Sequence, residues 1–230
     1  MIRHIVILAS LAGAVALGGC AAGPTDAGTD EHRPHDATMS HRFDDVQHWV
    51  ERFDDPARDA WQRPADVVAF LELAPGATAA DIGAGTGYFA VHLARAVGAE
   101  GRVLAVDIEP GLVEYMQERA TRESVPWIEP VLTEPDEPGV PAGTADVVLI
   151  VNTWHHIDDR LTYLDKLADT LKPGGRVVVV DFHEGELPVG PPAGHKLSQE
   201  HVQAEFDEAG WTLAASYDDL PYQYVLAFVR

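Results

Sequence analysis

The stretch ADIGAGTGYF, Ala80 to Phe89, decides the reading of this chain. An apolar run ends in Asp81. Gly83, Gly85 and Gly87 follow at alternate positions, and then an aromatic pair opens an apolar helix face. Run, bare turn and helix make a strand–turn–helix unit. In an open α/β sheet the first such turn is where a ligand meets the backbone. The spacing restricts the ligand. A dinucleotide fingerprint, G-x-G-x-x-G, needs glycine at position 88, where Tyr88 stands. Asp81 beside the loop disfavours a pyrophosphate and suits a ligand end that is cationic or donates hydrogen bonds. Asp107 ends the next predicted strand, about twenty residues past the loop, where a carboxylate accepts from both hydroxyls of a ribose. The ligand so described has a ribose, no phosphate chain and a cationic or donor-bearing tail.

Strands and helices alternate around this unit. Strands are predicted over Thr78–Ile82, Arg102–Asp107, Trp127–Leu132, Asp146–Val151 and Arg176–Asp181, then Trp211–Ser216 and Gln223–Val229. The runs DVVLIV and RVVVVDF are apolar on both faces, as in a sheet covered on both sides. Between them, Phe89, Leu93 and Val97 line one helix, and Leu112, Met116 and Arg119 fall at turn spacing on the next. Ile157, Leu161, Leu164, Ala168 and Leu171 form a stripe on a third, which LKPGG is expected to stop. Asp158 and Asp159 read as caps of that helix, Thr86 as a cap of the first, and Ser198 as the cap of a fourth bearing Val202 and Phe206. Upstream, Val46, Val50 and Phe53 share a face with Phe43, and Asp55-Pro56 reads as a cap with a first-turn proline. The fold class is α/β: one doubly wound, mostly parallel seven-stranded domain over 76–230, behind N-terminal helices over 41–75.

At this point four segments, in order, resemble the class I S-adenosylmethionine (SAM)-dependent methyltransferases, which have a Rossmann-like fold. They are ADIGAGTGYF, VLAVDIEP, PAGTADVVLIVNTWHHIDD and LKPGGRVVVVDF. The third-strand segment EPVLTEPDEP departs from that family's commoner pattern. SAM, with its adenosine, amino-acid tail and sulfonium, also fits the ligand read from the residues. The resemblance implies that Gly83, Gly85 and Gly87 line the cofactor tail and that Asp81 meets its amino end. It implies that Asp107 takes the ribose, Ile108 packs on adenine, Glu134 lies near the adenine amino group and Asn152 stands beside the methyl donor. The helices over 41–75 stand where this superfamily has a lid, and there Arg58 is a candidate for the SAM carboxylate or an acidic acceptor, with Trp61 and Gln62 closing the pocket. Candidate bases for an acceptor proton are His155 and His156 after the fourth strand and His183 after the fifth, histidine being the side chain whose ordinary titration lies nearest neutrality. Being adjacent, His155 and His156 are expected to point apart. Asp181 is within reach of the pocket. Tyr222 and Tyr224 either face the acceptor or alternate across a strand. NTWH in place of an N-P-P-Y-type motif points to a small-molecule acceptor.

The N-terminus adds a second expectation. Arg3 and His4 precede an uncharged run, Ile5 to Leu17, of signal-peptide length. Leu17-Gly18-Gly19-Cys20 resembles a bacterial lipobox, which implies a lipoprotein signal peptide over 1–19, lipidation of Cys20 and a membrane anchor on the periplasmic side of the cell envelope. Residues 20–40, rich in Gly, Pro, Thr and Asp, read as a flexible tether whose His32 and His35 are solvated, and no metal site is expected. Cys20 is the single cysteine, which excludes an internal disulfide. A net charge of −21 repels phosphate backbones and makes nucleic acid an unsuitable partner. Two alternatives stand beside the methyltransferase: a non-catalytic nucleoside-binding lipoprotein, and an NAD-dependent oxidoreductase, the latter disfavoured by Tyr88.

Overall fold

The valine-rich runs form the middle of a seven-stranded sheet of order β3-β2-β1-β4-β5-β7-β6. The computed structural model describes residues 46–230. The expected signal peptide, Cys20, the tether and the start of the lid, Phe43 included, lie outside the described residues. The strands are β1 (Thr78–Ile82), β2 (Arg102–Asp107), β3 (Ile128–Leu132), β4 (Ala145–Val151), β5 (Leu171–Phe182), β6 (Thr212–Tyr217) and β7 (Gln223–Val229). The first five run parallel, and β7 lies antiparallel between β5 and β6. The chain builds outward from β1 to β3, then returns to lay β4 on the other side of β1. The β1/β4 boundary is therefore the switch point, which in sheets of this kind is where ligands meet the carboxyl edge.

The sheet is covered on both faces. On one, Phe89, Leu93 and Val97 of α4 (Tyr88–Val97) and Met116 of α5 (Pro110–Arg122) pack against Val103, Ala105 and Leu149. On the other, Leu164 and Leu167 of α6 (Arg160–Thr170) and Val202 and Phe206 of α7 (Gln199–Glu208) pack against Val148, Ile150, Val177 and Val179. Each such aliphatic side chain, taken fully out of water, contributes about 1.5–3 kcal/mol before the entropy of ordering is counted. Before β1 come α1 (Val46–Phe53), a 3-10 turn at Pro56–Arg58, α2 (Asp59–Gln62) and α3 (Pro64–Phe70). Asp55 caps the turn by accepting from the Ala57 amide, and Ser198 caps α7 by accepting from the His201 amide.

Local expectations are corrected at Leu161, Asp159 and Thr86. Of the expected stripe, Ile157 and Leu164 are buried and Ala168 and Leu171 pack against the same cluster, whereas Leu161 departs from it. The helix starts at Arg160, Leu161 is exposed, and Tyr163, Leu164 and Leu167 turn inward. Asp159 occupies the capping position in the left-handed conformation, at φ 39°, and its side chain makes no cap bond. The helix stops before LKPGG as expected, and that segment opens β5, with an irregularity between the Ala145–Leu171 and Val147–Arg176 pairings. Thr86 does not cap α4 either. Gly87 holds that position, and the Thr86 hydroxyl donates to Asp54 instead.

Candidate active site

The glycine loop leaves β1 under tight steric control. Gly83 has φ 69°, and a Cβ built on it falls 2.3 Å from Thr153 Oγ1, at the end of β4. Two adjacent strand ends thus approach as closely as a bare α-carbon permits. Gly85 has φ 58°, and its Cβ would sit 3.3 Å from the Phe53 ring. What lies directly over Gly85 is the lid. The loop is fastened from below: Gly83 and Ala84 amides both donate to the Val106 carbonyl at 2.9 Å, and the Gly85 amide donates to Asp107 Oδ2 at 2.7 Å.

The two acids stand in different states. Asp107, at the end of β2, also accepts from the Glu109 amide through Oδ1 at 3.0 Å. Burial raises its pKa and those amides pull it back. A carboxylate has about four lone-pair sites, and the backbone amides of Gly85, Ile108 and Glu109 leave acceptor capacity for a ribose hydroxyl. Asp81 is 2% exposed, and its Oδ2 is fully buried with no hydrogen-bond partner. Burial pushes its pKa up to about 7, against the pull of the Arg58 charge and with a further push from Asp107. An unpartnered buried oxygen beside a glycine cradle is what a cationic ligand tail would complete. Beyond Asp107, Ile108 and Leu132 are exposed at 43% and 53%, on neighbouring strand ends where Asp107 pairs with Leu132. They form an apolar ledge beside Asp107, and exposed Glu134 follows two residues on. These groups fit SAM: tail at Asp81, ribose at Asp107, flat base over Ile108 and Leu132. Leu132 escaped the sequence reading because an apolar residue ending a strand looks like core.

The lid is bonded to this edge at several points. Asp54 accepts from Arg119 Nη1 at 2.6 Å, from the Thr86 hydroxyl at 2.7 Å and from the Tyr115 hydroxyl at 3.0 Å. Arg58 donates to the Phe53 carbonyl at 2.9 Å and to Gln62 at 3.2 Å, and its guanidinium lies 4.1 Å from the Tyr88 ring centre. Burial lowers its pKa to about 10, which leaves it charged at neutral pH, with the Asp81 charge opposing the fall. Gln62, fully buried, donates to Gln223 of β7, and Gln223 donates to the Asn152 side chain. Asn152 follows β4 at φ 56°. Its amide is thus held in a network joining lid, β4 and β7. Gln223 was not anticipated, since nothing in a local pattern marks a buried glutamine in an apolar strand.

The candidate bases lie at the ends of β4 and β5. His155 is 2% exposed, and its Nδ1 lies 2.8 and 3.0 Å from the carboxylate oxygens of Asp181, which is itself fully buried. The His155 and His156 rings do not point apart: their centres lie 4.2 Å from each other, with the planes tilted by 43°. Half-buried His183 lies 5.8 Å from the Tyr224 ring. Tyr224 is core, its hydroxyl donating to the Leu197 carbonyl at 3.1 Å, whereas half-buried Tyr222 sits 6.5 Å from Trp61, which lies 5.7 Å from Phe182.

Comparison with known proteins agrees with this geometry. Residues 80–179 match a family described as "Methyltransferase domain". Over 128 residues the chain is 31% identical to the aklanonic acid methyltransferase DauC of Streptomyces sp. (strain C5), covering 55% of this chain and 58% of that protein. It is 31% identical over 117 residues to a demethylmenaquinone methyltransferase of Bacillus licheniformis, covering 51% and 50%. The chain thus spans about half the length of the curated relatives it matches. A SAM-dependent methyltransferase from Aquifex aeolicus has a crystal structure that aligns with a TM-score of 0.75 at 25% identity, over 80% of this chain and 97% of that one. Sheet order, glycine loop and these likenesses give the chain the fold of the class I SAM-dependent methyltransferases.

Proposed function

We propose that this chain transfers a methyl group from SAM to a small-molecule acceptor, and that lipid on Cys20 anchors it to a membrane. The buried, unpartnered oxygen of Asp81 next to the glycine cradle carries the cofactor reading. When bound, SAM supplies a methyl group already activated by positive sulfur. The residues of this chain do the rest. Asp81 pairs with the cationic amino end of the tail. Asp107 accepts the ribose hydroxyls while fixing the Gly85 amide. Ile108 and Leu132 give the base an apolar seat. Arg58, charged and next to Asp81 and Tyr88, offers a counter-ion to the tail carboxylate. Trp61, Phe182 and Tyr222 wall the side beyond Asn152, where they exclude water from an acceptor. Alignment and water exclusion are the main needs of such a displacement.

The relatives named above act, by their names, on aklanonic acid and on demethylmenaquinone, which supports a small organic acceptor here. The alternative of a non-catalytic nucleoside-binding lipoprotein draws no support from them. Titration calorimetry with SAM, S-adenosylhomocysteine and NAD tests the cofactor: binding of the first two and not the third is expected, and preference for NAD refutes the reading. S-adenosylhomocysteine release is then measured against a panel of phenols, hydroquinones and thiols. SAM binding without turnover on any of them would favour the non-catalytic alternative.

A further inference from the structure

Asp181 is the penultimate residue of β5, fully buried, in register with Tyr224 of β7. A buried carboxylate is costly unless it is hydrogen-bonded. This one accepts from the Phe182 amide through Oδ1 at 2.8 Å, and both its oxygens face His155 Nδ1. An ionised carboxylate only accepts, so Nδ1 must carry the hydrogen, and the neutral ring keeps Nε2 as its acceptor. The turn that bears His155 is tied to its surroundings at several points. Trp154 is fully buried, its Nε1 donating to Glu205 at 3.0 Å. Thr153 packs against Gly83 of the cofactor loop, and Asn152 sits in the amide network with the lid. His155 therefore stands at the switch-point edge, oriented by a carboxylate in the manner of a base held for proton transfer.

From this geometry we infer that Asp181 is a positioning residue that fixes His155 in its Nδ1–H form, and that His155 Nε2 takes the proton released by the methyl acceptor. The inference rests on the proposed methyl transfer and narrows its substrate class to acceptors with an O–H, N–H or S–H to lose. The acceptor gives its proton to Nε2 and takes a methyl group in its place. The positive charge that leaves the sulfonium reappears on the imidazolium, so atoms and charge balance without any further reactant.

Asp181→Asn is the test, since it keeps shape and reverses polarity. The Phe182 amide still requires an acceptor, which holds the asparagine oxygen where Oδ1 was. The new amide N–H then faces Nδ1, which must accept, and the ring proton moves to Nε2, the wrong tautomer for a base. Full-length protein labelled with 15N-histidine is compared by long-range 1H–15N correlation, the His155 signals being assigned by their absence in His155→Gln. We expect the Nδ1–H form in the wild type and the Nε2–H form in the variant, with the other resonances showing an intact fold. With an acceptor found in the panel above, turnover of the variant should fall about a hundredfold or more at unchanged SAM affinity. The loss should shrink along a series of increasingly acidic phenols, which ionise without help. A wild-type ring with bare Nδ1 overturns the inference, and so does a variant with the flipped tautomer and undiminished turnover. If no acceptor turns over with the wild type, the proposed activity fails, and the tautomer spectra still decide whether Asp181 holds His155 as described.

Discussion

Replacing Asp81 by asparagine should stabilise the ligand-free protein at neutral pH and weaken its hold on SAM. The carboxyl is 2% exposed with one oxygen unpartnered, and burial lifts its pKa from the ordinary 3.8 to about 7. The folded chain thus binds this proton more tightly than the unfolded chain. Below the unfolded pKa both states are protonated, and the group contributes nothing to the pH dependence. As pH rises from there to about 7, the unfolded state ionises first and stability falls; above that the penalty is constant. Roughly three pH decades at about 1.36 kcal/mol each put the full penalty near 4 kcal/mol, an upper figure because Arg58 and Asp107 titrate against the same site. Asparagine has the same shape and no charge to bury. Urea unfolding of wild type and Asp81→Asn at pH 5 and pH 8 measures the difference. The variant should be the more stable at pH 8 by as much as ~4 kcal/mol and much closer to wild type at pH 5. Calorimetry should show wild-type SAM affinity rising with pH up to about 7, as the carboxylate forms. The variant should bind at least about tenfold more weakly, having lost a charge-assisted bond of roughly 1.5–3 kcal/mol. A variant less stable than wild type at pH 8, or equally displaced at both pH values, would show that Asp81 is not a strained buried acid.

Asp107→Ala removes the acceptor for the Gly85 and Glu109 amides as well as the ribose contact, so SAM affinity should fall about tenfold or more and urea stability should drop. Affinity unchanged from wild type would sink the ribose assignment. Gly83→Ala places a methyl group against Thr153 at positive φ and should cost about 3 kcal/mol or more; Gly174→Ala, also at positive φ but in open space, should cost only about 1–2 kcal/mol. Equal losses in the two would mean that steric approach at the switch point does not matter. Full-length protein made in a bacterial host should enter membranes and take up labelled fatty acid, and Cys20→Ala should abolish the label. A soluble wild type that retains Met1 would overturn the anchor.

The alternation of strands and helices was legible because burial imposes its periods locally. A sheet covered on both faces needs runs such as DVVLIV, and a helix against it needs one apolar stripe. Phe89, Leu93 and Val97 obeyed that rule and are all buried. Leu161 did not, because α6 starts at Arg160 and its inward face is set by packing on α7 and the sheet. Caps followed the same division. Ser198 caps as its residue type suggests, while Thr86 is drawn to Asp54, 32 residues away in the chain.

The sequence by itself determined the fold class, the bare turn after β1 and the acid after β2. Each is a local requirement: a backbone with φ above zero, or an acceptor at a strand end. Only the tertiary structure decided which distant groups meet. His155 and Asp181 are 26 residues apart and Gln62 and Gln223 are 161 apart, and no periodicity links either pair. They touch because β4 lies beside β5, β5 beside β7, and the lid folds over that edge. Strand order is fixed by how the crossover helices pack, a property of the whole sheet, so the pairing of His155 with Asp181 could not be read from the residues around either.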